Sequence, residues 1–160
     1  MLEDLLTTDV GRFFTTMAVA MLPVLELRGA IPLGVSLGLH PWCALIAGVI
    51  GNIIPSPFII IFIRRIFEWL RKKSDRLERL VSRLEKRAEG KWDEIHKFQF
   101  LGLLILVAIP LPGTGAWTGS LIAAIANMRM KSALPAIIAG VIIAGFLITG
   151  LSVGFAAILS

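Results

Sequence analysis

Two ionisable residues, Glu26 and Arg28, lie inside an otherwise apolar run that extends from residue 13 to residue 39. A charge is costly in hydrocarbon, so ionisable residues at that depth are paired or hydrated and most often mark a path for an ion or a substrate. Glu26 is therefore a candidate for proton coupling. Arg28 is a candidate contact for an anion, because a guanidinium stays charged and binds phosphate or carboxylate as a fork. A structural alternative remains open, in which both charges only stabilise helix ends. Arg28 would then lie just past the C-terminus of a first half-helix, and Glu26 shortly before the N-terminus of a second.

A second candidate segment is "PLPGTGAWTG", at residues 110–119. Thr114 is expected to cap a helix that begins near Ala116, and the free backbone N–H groups of that helix would bind an anion. Trp117 is expected to contact an apolar substrate or to pack, and Asn52 is expected to bond across to one of the two segments. The candidate substrate- or ion-binding residues are thus Glu26, Arg28, Asn52, Gly113, Thr114, Gly115 and Trp117.

The apolar blocks around these residues predict an integral membrane protein. Of the 160 residues, 56% are hydrophobic, and the mean hydropathy is +0.84. Four blocks are nearly free of charge and long enough to be membrane segments, at residues 13–39, 41–63, 100–127 and 133–159. The acidic N-terminus lacks the basic start of a cleaved signal peptide.

The basic charge is confined to one segment, which argues against nucleic-acid binding. The net charge is +5, and twelve of the sixteen Lys and Arg residues lie at residues 64–97 together with seven of the eleven acids. That distribution is typical of a cytoplasmic loop that follows the positive-inside rule. Apolar residues recur there every three to four positions, which predicts an amphipathic helix that breaks near Gly90. Asp75 and Arg79 are spaced as an ion pair on that helix.

Residues for catalysis or metal binding are sparse. Cys43 is the single cysteine, so no intrachain disulfide can form. His40 and His96 are expected at an interface rather than in a metal site, and no Cys/His cluster or Ser-His-Asp set is present in the sequence. We therefore expect a protein that is not an enzyme and that has no metal and no cofactor.

The chain divides into two similar halves. "AMLPVLELRGAIPLG" is followed by "IAGVI", and "VAIPLPGTGAWTG" is also followed by "IAGVI". This order predicts an internal repeat, with repeat 1 at residues 13–63, a charged linker at 64–97 and repeat 2 at 98–159. Each repeat begins with a block that is broken in the middle, at residues 26–29 in the first and near 110–115 in the second.

The broken blocks predict hairpins that enter and leave the membrane on one side. A 13-residue helix covers only about two-thirds of a hydrocarbon core about 30 Å thick. If the blocks are re-entrant, Arg129 and Lys131 lie on the same side as residues 64–97, whereas spanning blocks would place them opposite. The expected fold is an all-α inverted repeat of a re-entrant hairpin plus a spanning helix (41–63 and 133–159), with residues 64–97 and 128–132 cytoplasmic.

The segments "PVLELRGAIPLG", "PLPGTGAWTGSLIAAI" and "IAGVIGN" resemble the signature of the small multidrug export protein family. That family is similar to the wider DedA superfamily, whose members are implicated in moving polyprenyl phosphate or phospholipid between leaflets. The resemblance implies the same paired hairpins, with Glu26 and Arg28 in the coupling and head-group roles. The chain departs from the DedA pattern in having "PGTGAW" where an arginine is typical.

Together these features lead us to expect a small transporter in a prokaryotic cytoplasmic (inner) membrane. Its expected substrate is amphipathic or an anionic lipid, and its expected partners are membrane lipids, protons and a second copy of the chain. Two alternatives stay open. One is efflux of amphipathic cations that contact Glu26, and the other is a structural or assembly protein that transports nothing.

Overall fold

The computed structural model describes residues 8–73, 78–79, 82–83, 98–111 and 113–159. All regular structure in these ranges is helical, as the sequence predicts. The helices of ten or more described residues are α1 (Asp9–Ala20), α2 (Glu26–Ser36), α3 (Pro41–Ile53), α4 (Pro55–Lys73), α5 (Gln99–Ala108), α6 (Ala116–Ile125) and α7 (Met130–Leu159).

Two helical stretches are long and apolar enough to cross a membrane, at Pro41–Leu70 and Met130–Phe155. The first combines α3 and α4, which are interrupted only at Ile54, because Pro55 has no N–H to continue the α3 hydrogen bonds. Only 33% and 39% of their most apolar windows are buried. Large apolar side chains therefore cover their outer surfaces, which indicates contact with lipid rather than with a soluble core.

The break in the first apolar block differs from the prediction. The sequence places it at residues 26–29, whereas α1 ends at Ala20 and α2 already begins at Glu26. Pro23 lies inside this earlier break, and a φ of 43° at Glu26 turns the chain into α2. In the second block α5 ends at Ala108 and α6 begins at Ala116, close to the predicted positions.

Glycines mark three points where helices pack closely on one another. A Cβ atom at Gly51 of α3 would lie 2.2 Å from the Met17 carbonyl oxygen of α1, and a Cβ at Gly119 of α6 would lie 2.6 Å from Val107. Glycines at these points let the helix backbones approach. The sequence contains three G-x-x-x-G pairs, which are Gly34/Gly38, Gly115/Gly119 and Gly150/Gly154. A Cβ at Gly34 would lie 2.6 Å from the hydroxyl oxygen of Thr16, so the first two pairs each contribute a close contact within the chain.

The third pair consists of Gly150 and Gly154. A Cβ atom added at either glycine would have no atom of the described residues within 4 Å. These two glycines therefore do not take part in packing within the described chain.

The charged segment is helical where the structure describes it. α4 continues past the apolar part to Lys73, and residues 78–79 and 82–83 are also helical. The Arg64 guanidinium donates to the carbonyl oxygen of Met128, which ties the start of this segment to the turn before α7. The predicted break at Gly90, the Asp75 pair and His96 lie outside the described residues.

Candidate functional site between the two helix breaks

Residues beside the break in the first apolar block contact residues beside the break in the second. We call residues 21–25 the first tip and residues 109–115 the second tip. Glu26 follows the first tip, and only 5% of its surface is exposed. Its Oε1 atom accepts a hydrogen bond of 3.0 Å from the backbone N–H of Trp117, in the first turn of α6. The carboxylate thus satisfies a helix N-terminus of the other half, where negative charge is also favoured by the helix dipole.

Arg28 also reaches the second tip. Its Nη2 atom donates to the carbonyl oxygen of Thr114 and lies 3.9 Å from Oε2 of Glu26. The structural alternative placed Arg28 just past the end of a half-helix, but it lies in the first turn of α2. A cation there gains nothing from the dipole of α2. Its stabilisation comes instead from the Thr114 carbonyl and from Glu26.

Trp117 connects the tips in the opposite direction. Its indole Nε1 donates at 3.1 Å to the carbonyl oxygen of Met21, just after the end of α1. Glu26 therefore completes the start of α6, while Trp117 completes the end of α1. We call this set of contacts the tip clasp, which consists of Met21, Glu26, Arg28, Thr114 and Trp117.

Gly115 makes the approach of Glu26 possible. A Cβ at this position would lie 1.8 Å from Oε2 of Glu26, and its φ of +139° disfavours any other residue. Gly113 has a φ of +84°, but a Cβ there would have none of the described atoms within 4 Å. The two glycines thus differ, since Gly113 allows the turn and Gly115 allows both the turn and the contact.

The predicted role of Thr114 as a cap for α6 is wrong. Its hydroxyl oxygen lies 2.7 Å from the carbonyl oxygen of Ile109 and 2.8 Å from that of Leu111, to which it can donate. It also accepts a bond from the Leu111 N–H at 3.1 Å. The hydroxyl closes the second tip on itself, and the start of α6 is free to receive Glu26.

The structure does not test the predicted anion site at the start of α6, but it shows that the Trp117 N–H there is already bonded to a carboxylate of the protein. A negative substrate would have to displace Glu26 from this atom. Arg28 lies beside this carboxylate, and its side chain remains 29% exposed.

Asn52 lines a very small cavity beside the clasp, with Glu26, Arg28, Thr114 and Gly115. The cavity measures about 10 Å³, roughly the space of one water. The Oδ1 atom of Asn52 is buried and has no hydrogen-bond partner in the described chain. The predicted bond from Asn52 to a hairpin is therefore not made by this oxygen, and its acceptor faces a space suited to one water.

Arg28 also lines a larger groove. It has a volume of about 670 Å³. Its described lining residues are Arg28, Pro32, Val35, Ser36, Pro110, Ile148, Leu151, Ser152 and Phe155. Arg28 is the one charged residue among them, and most of the others are apolar. We call it the Arg28 groove. The sequence prediction missed its walls, although the spacing of Arg28, Pro32 and Ser36 places them on one helical face.

Metal binding has no support in the part of the chain that the structure describes, where no group of three or more His, Cys, Asp or Glu residues comes together. His40 is exposed immediately before α3. Cys43 is exposed as well and is a free thiol.

Comparisons with known proteins place the chain in one family. The model of the family described as "Putative small multi-drug export protein" matches residues 26–147, which include both the second tip and the clasp residues from Glu26 onward, together with the first long helix. No curated protein and no solved structure matches the chain. The match spans well over half of the sequence, and the apolar helices and the family description together support a membrane transporter. The chain belongs to the small multi-drug export protein family.

Proposed function

We propose that this protein moves an amphipathic substrate with an anionic head group, such as a phospholipid or a polyprenyl phosphate, between the leaflets of a prokaryotic inner membrane. The head group binds Arg28, and the apolar part lies in the Arg28 groove. The broken blocks form re-entrant hairpins in an inverted repeat, and the residue 64–97 segment faces the cytoplasm. Movement alternately exposes the tips to the two sides.

The observation that supports this proposal is the position of Arg28. Its side chain remains 29% exposed and is the charged member of an otherwise mostly apolar groove of about 670 Å³. A single guanidinium beside apolar walls matches a lipid, which has one anionic group and a long apolar part.

The packing of the long helices supports the inverted repeat. α4, at the end of the first half, packs on α6 of the second half, and α7 of the second half packs on α2 of the first. This exchange of partners is what two repeats related by a two-fold axis would produce. The tip clasp adds a second exchange, because each tip completes a helix of the other half.

Glu26 is proposed as the coupling residue. Protonation would weaken its hold on the Trp117 N–H and on Arg28, because a neutral carboxyl is a poorer acceptor than a carboxylate. The clasp would then loosen as the proton binds, which links proton uptake to movement of the tips.

Export of an amphipathic cation is the second candidate, and it is favoured by the family description. A cation would need Glu26 as its partner. Glu26 is only 5% exposed and has Arg28 at 3.9 Å, so a cationic substrate would meet a repelling charge on entry. This contrast makes the anionic substrate our first choice.

Transport assays in reconstituted vesicles distinguish these candidates. We expect the wild type to move a fluorescent polyprenyl phosphate or an anionic phospholipid, and to leave a lipophilic cationic dye unmoved. Arg28→Gln should lower the rate about tenfold or more, since it removes a charged contact. Arg28→Lys should retain part of it.

The control is Arg129→Gln, which removes the same charge from an exposed position outside the groove. It should transport as the wild type does. Transport of the dye alone would refute the anionic proposal. Absence of any transport by folded wild-type protein, with both substrate classes, would favour a structural role.

A further inference from the structure

A second groove lies on the outside of α4 and α6. It has a volume of about 520 Å³. Its described lining residues are Pro55, Phe58, Ile59, Ile61, Phe62, Arg65 and Trp117. Phe58 and Phe62 are 69% and 64% exposed, so their rings face the surroundings of the helix. We call it the α4 groove, and Arg28 is not among these residues.

The length of the α4 groove matches one leaflet. Pro55 and Arg65 both lie on α4, and ten residues of helix extend about 15 Å. The hydrocarbon core of a bilayer is about 30 Å thick. Pro55 lies near the middle of the candidate span Pro41–Leu70, so the groove runs from mid-membrane to the end where the helix becomes charged.

The two ends of the groove differ in chemistry. Arg65 is exposed and lies in the first charged turn after the apolar part of α4. Trp69, one turn later, is 56% exposed, as is typical of aromatic residues at the head-group level. An arginine at this height extends its guanidinium to the lipid phosphates and lays its stem on apolar surface. Trp117 of the tip clasp also lines the groove. Gly115, two residues before it, shares a small cavity with Asn52, which precedes Pro55 by one turn, so Trp117 belongs to the deep end.

We infer that the α4 groove binds one phospholipid with an anionic head group, taken from the leaflet that contacts residues 64–73. The phosphate pairs with Arg65, an acyl chain lies along Phe62 and Phe58, and the end of that chain reaches Trp117. The positive charge of Arg65 favours an anionic head group, and the length of the groove, about half the thickness of the hydrocarbon core, fits an acyl chain of one leaflet. This site is separate from the proposed transport site, and its existence does not depend on transport.

Position-specific quenching of Trp117 fluorescence tests this site. The full chain with Trp42→Phe, Trp69→Phe and Trp92→Phe retains Trp117 as its single tryptophan. It is reconstituted in phosphatidylcholine that contains one brominated test lipid, which is either phosphatidylglycerol or phosphatidylcholine. The bromines are near the chain ends or, in parallel samples, near the head group. We expect brominated phosphatidylglycerol to reach half-maximal quenching at a lipid fraction about fivefold lower than brominated phosphatidylcholine does. This is the preference that one basic residue at the membrane surface provides.

Variants of Arg65 assign the preference. Arg65→Gln and Arg65→Met should both abolish it, and Arg65→Lys should keep it. Lys72→Gln is the matched control, because it removes one exposed positive charge from the same helix outside the groove. Equal quenching by both lipids in the wild type would overturn the inference. So would an unchanged preference in folded Arg65→Gln or Arg65→Met, or stronger quenching by bromines near the head group than by those near the chain ends.

Discussion

Oε1 of Glu26 accepts a hydrogen bond from the backbone N–H of Trp117 at 3.0 Å, although the two residues are 91 positions apart. The indole of the same tryptophan donates to Met21, in the tip that precedes Glu26. A side chain from each broken block therefore forms a hydrogen bond with a helix end in the other block, Glu26 at the start of α6 and Trp117 at the end of α1. The two tips cannot separate without exposing unsatisfied backbone groups at both helix ends.

Glu26 substitutions separate charge from capping. Glu26→Gln keeps an oxygen that accepts from Trp117 but loses the attraction to Arg28, so we expect a folded protein with little or no transport. Glu26→Ala removes the cap as well and should lower stability by about 1–2 kcal/mol relative to Glu26→Gln. Thermal unfolding in detergent and the vesicle assay measure the two effects.

The outcome for Glu26→Gln also decides between function and structure. If this variant fails to fold while Asp9→Asn, which removes an exposed carboxylate of α1, folds normally, the charge of Glu26 serves stability. A fully active Glu26→Gln protein would rule out coupling at this residue.

Gly115→Ala should be strongly destabilising. The new methyl group would overlap the Glu26 carboxylate, and the alanine would have to adopt a backbone φ of +139°. Gly113→Ala is the matched control, because it faces only the backbone penalty of about 1–2 kcal/mol with open space around it. Unfolding temperatures should therefore fall further for Gly115→Ala. Equal losses would mean that Glu26 moves aside at no cost.

The sequence predicts the long elements better than the breaks. Two long apolar runs, the first beginning at Pro41, predict the two helices that are long enough to cross a membrane, because length and hydropathy are local properties of the sequence. The prediction that the first break lies at Glu26–Gly29 rests on the assumption that charged residues interrupt a helix. Pro23 sets the break earlier, and the charged residues remain helical because the second tip supplies partners for them.

The candidate site is predictable by residue type but not by arrangement. Glu26, Arg28, Thr114 and Trp117 do meet, yet the sequence could not show that Glu26 would occupy the start of α6 in place of Thr114. That contact joins residues of the two halves, and no local pattern encodes it. The sequence does show a glycine at position 115, where Glu26 approaches the backbone. A glycine in such a segment is equally typical of an ordinary turn, so it does not by itself predict this contact.

Trp117→Phe should weaken the clasp without emptying its space. A smaller aromatic ring remains, but the bond from Nε1 to the Met21 carbonyl is lost, at a cost of about 1 kcal/mol. We expect faster amide hydrogen exchange in the last turn of α1, because that end is no longer completed. Trp42→Phe, at an exposed site, should leave exchange in α1 unchanged. Unchanged exchange in Trp117→Phe would show that the indole bond is not needed.

Gly51→Ala should disrupt the packing of α1 on α3. Its Cβ would lie 2.2 Å from the Met17 carbonyl oxygen, which belongs to the backbone and cannot rotate away. We expect a loss of about 2 kcal/mol or more, as for other overpacked positions. Gly150→Ala, with open space around its Cβ, should be neutral or slightly stabilising, since alanine favours helix. Thermal unfolding of both variants provides the comparison, and equal stability would contradict this packing.

Cysteine labelling tests whether the second broken block returns to its side of entry. On a Cys43→Ala background, Phe98→Cys and Arg129→Cys place single thiols at exposed positions that flank α5 and α6. A re-entrant hairpin puts both on the face that carries residues 64–73, so an impermeant reagent should label both from the same side. His40→Cys, before α3, should label from the opposite side, because the span Pro41–Leu70 separates it from that face. Labelling of positions 98 and 129 from opposite sides would show that the block spans the membrane and would remove the inverted repeat.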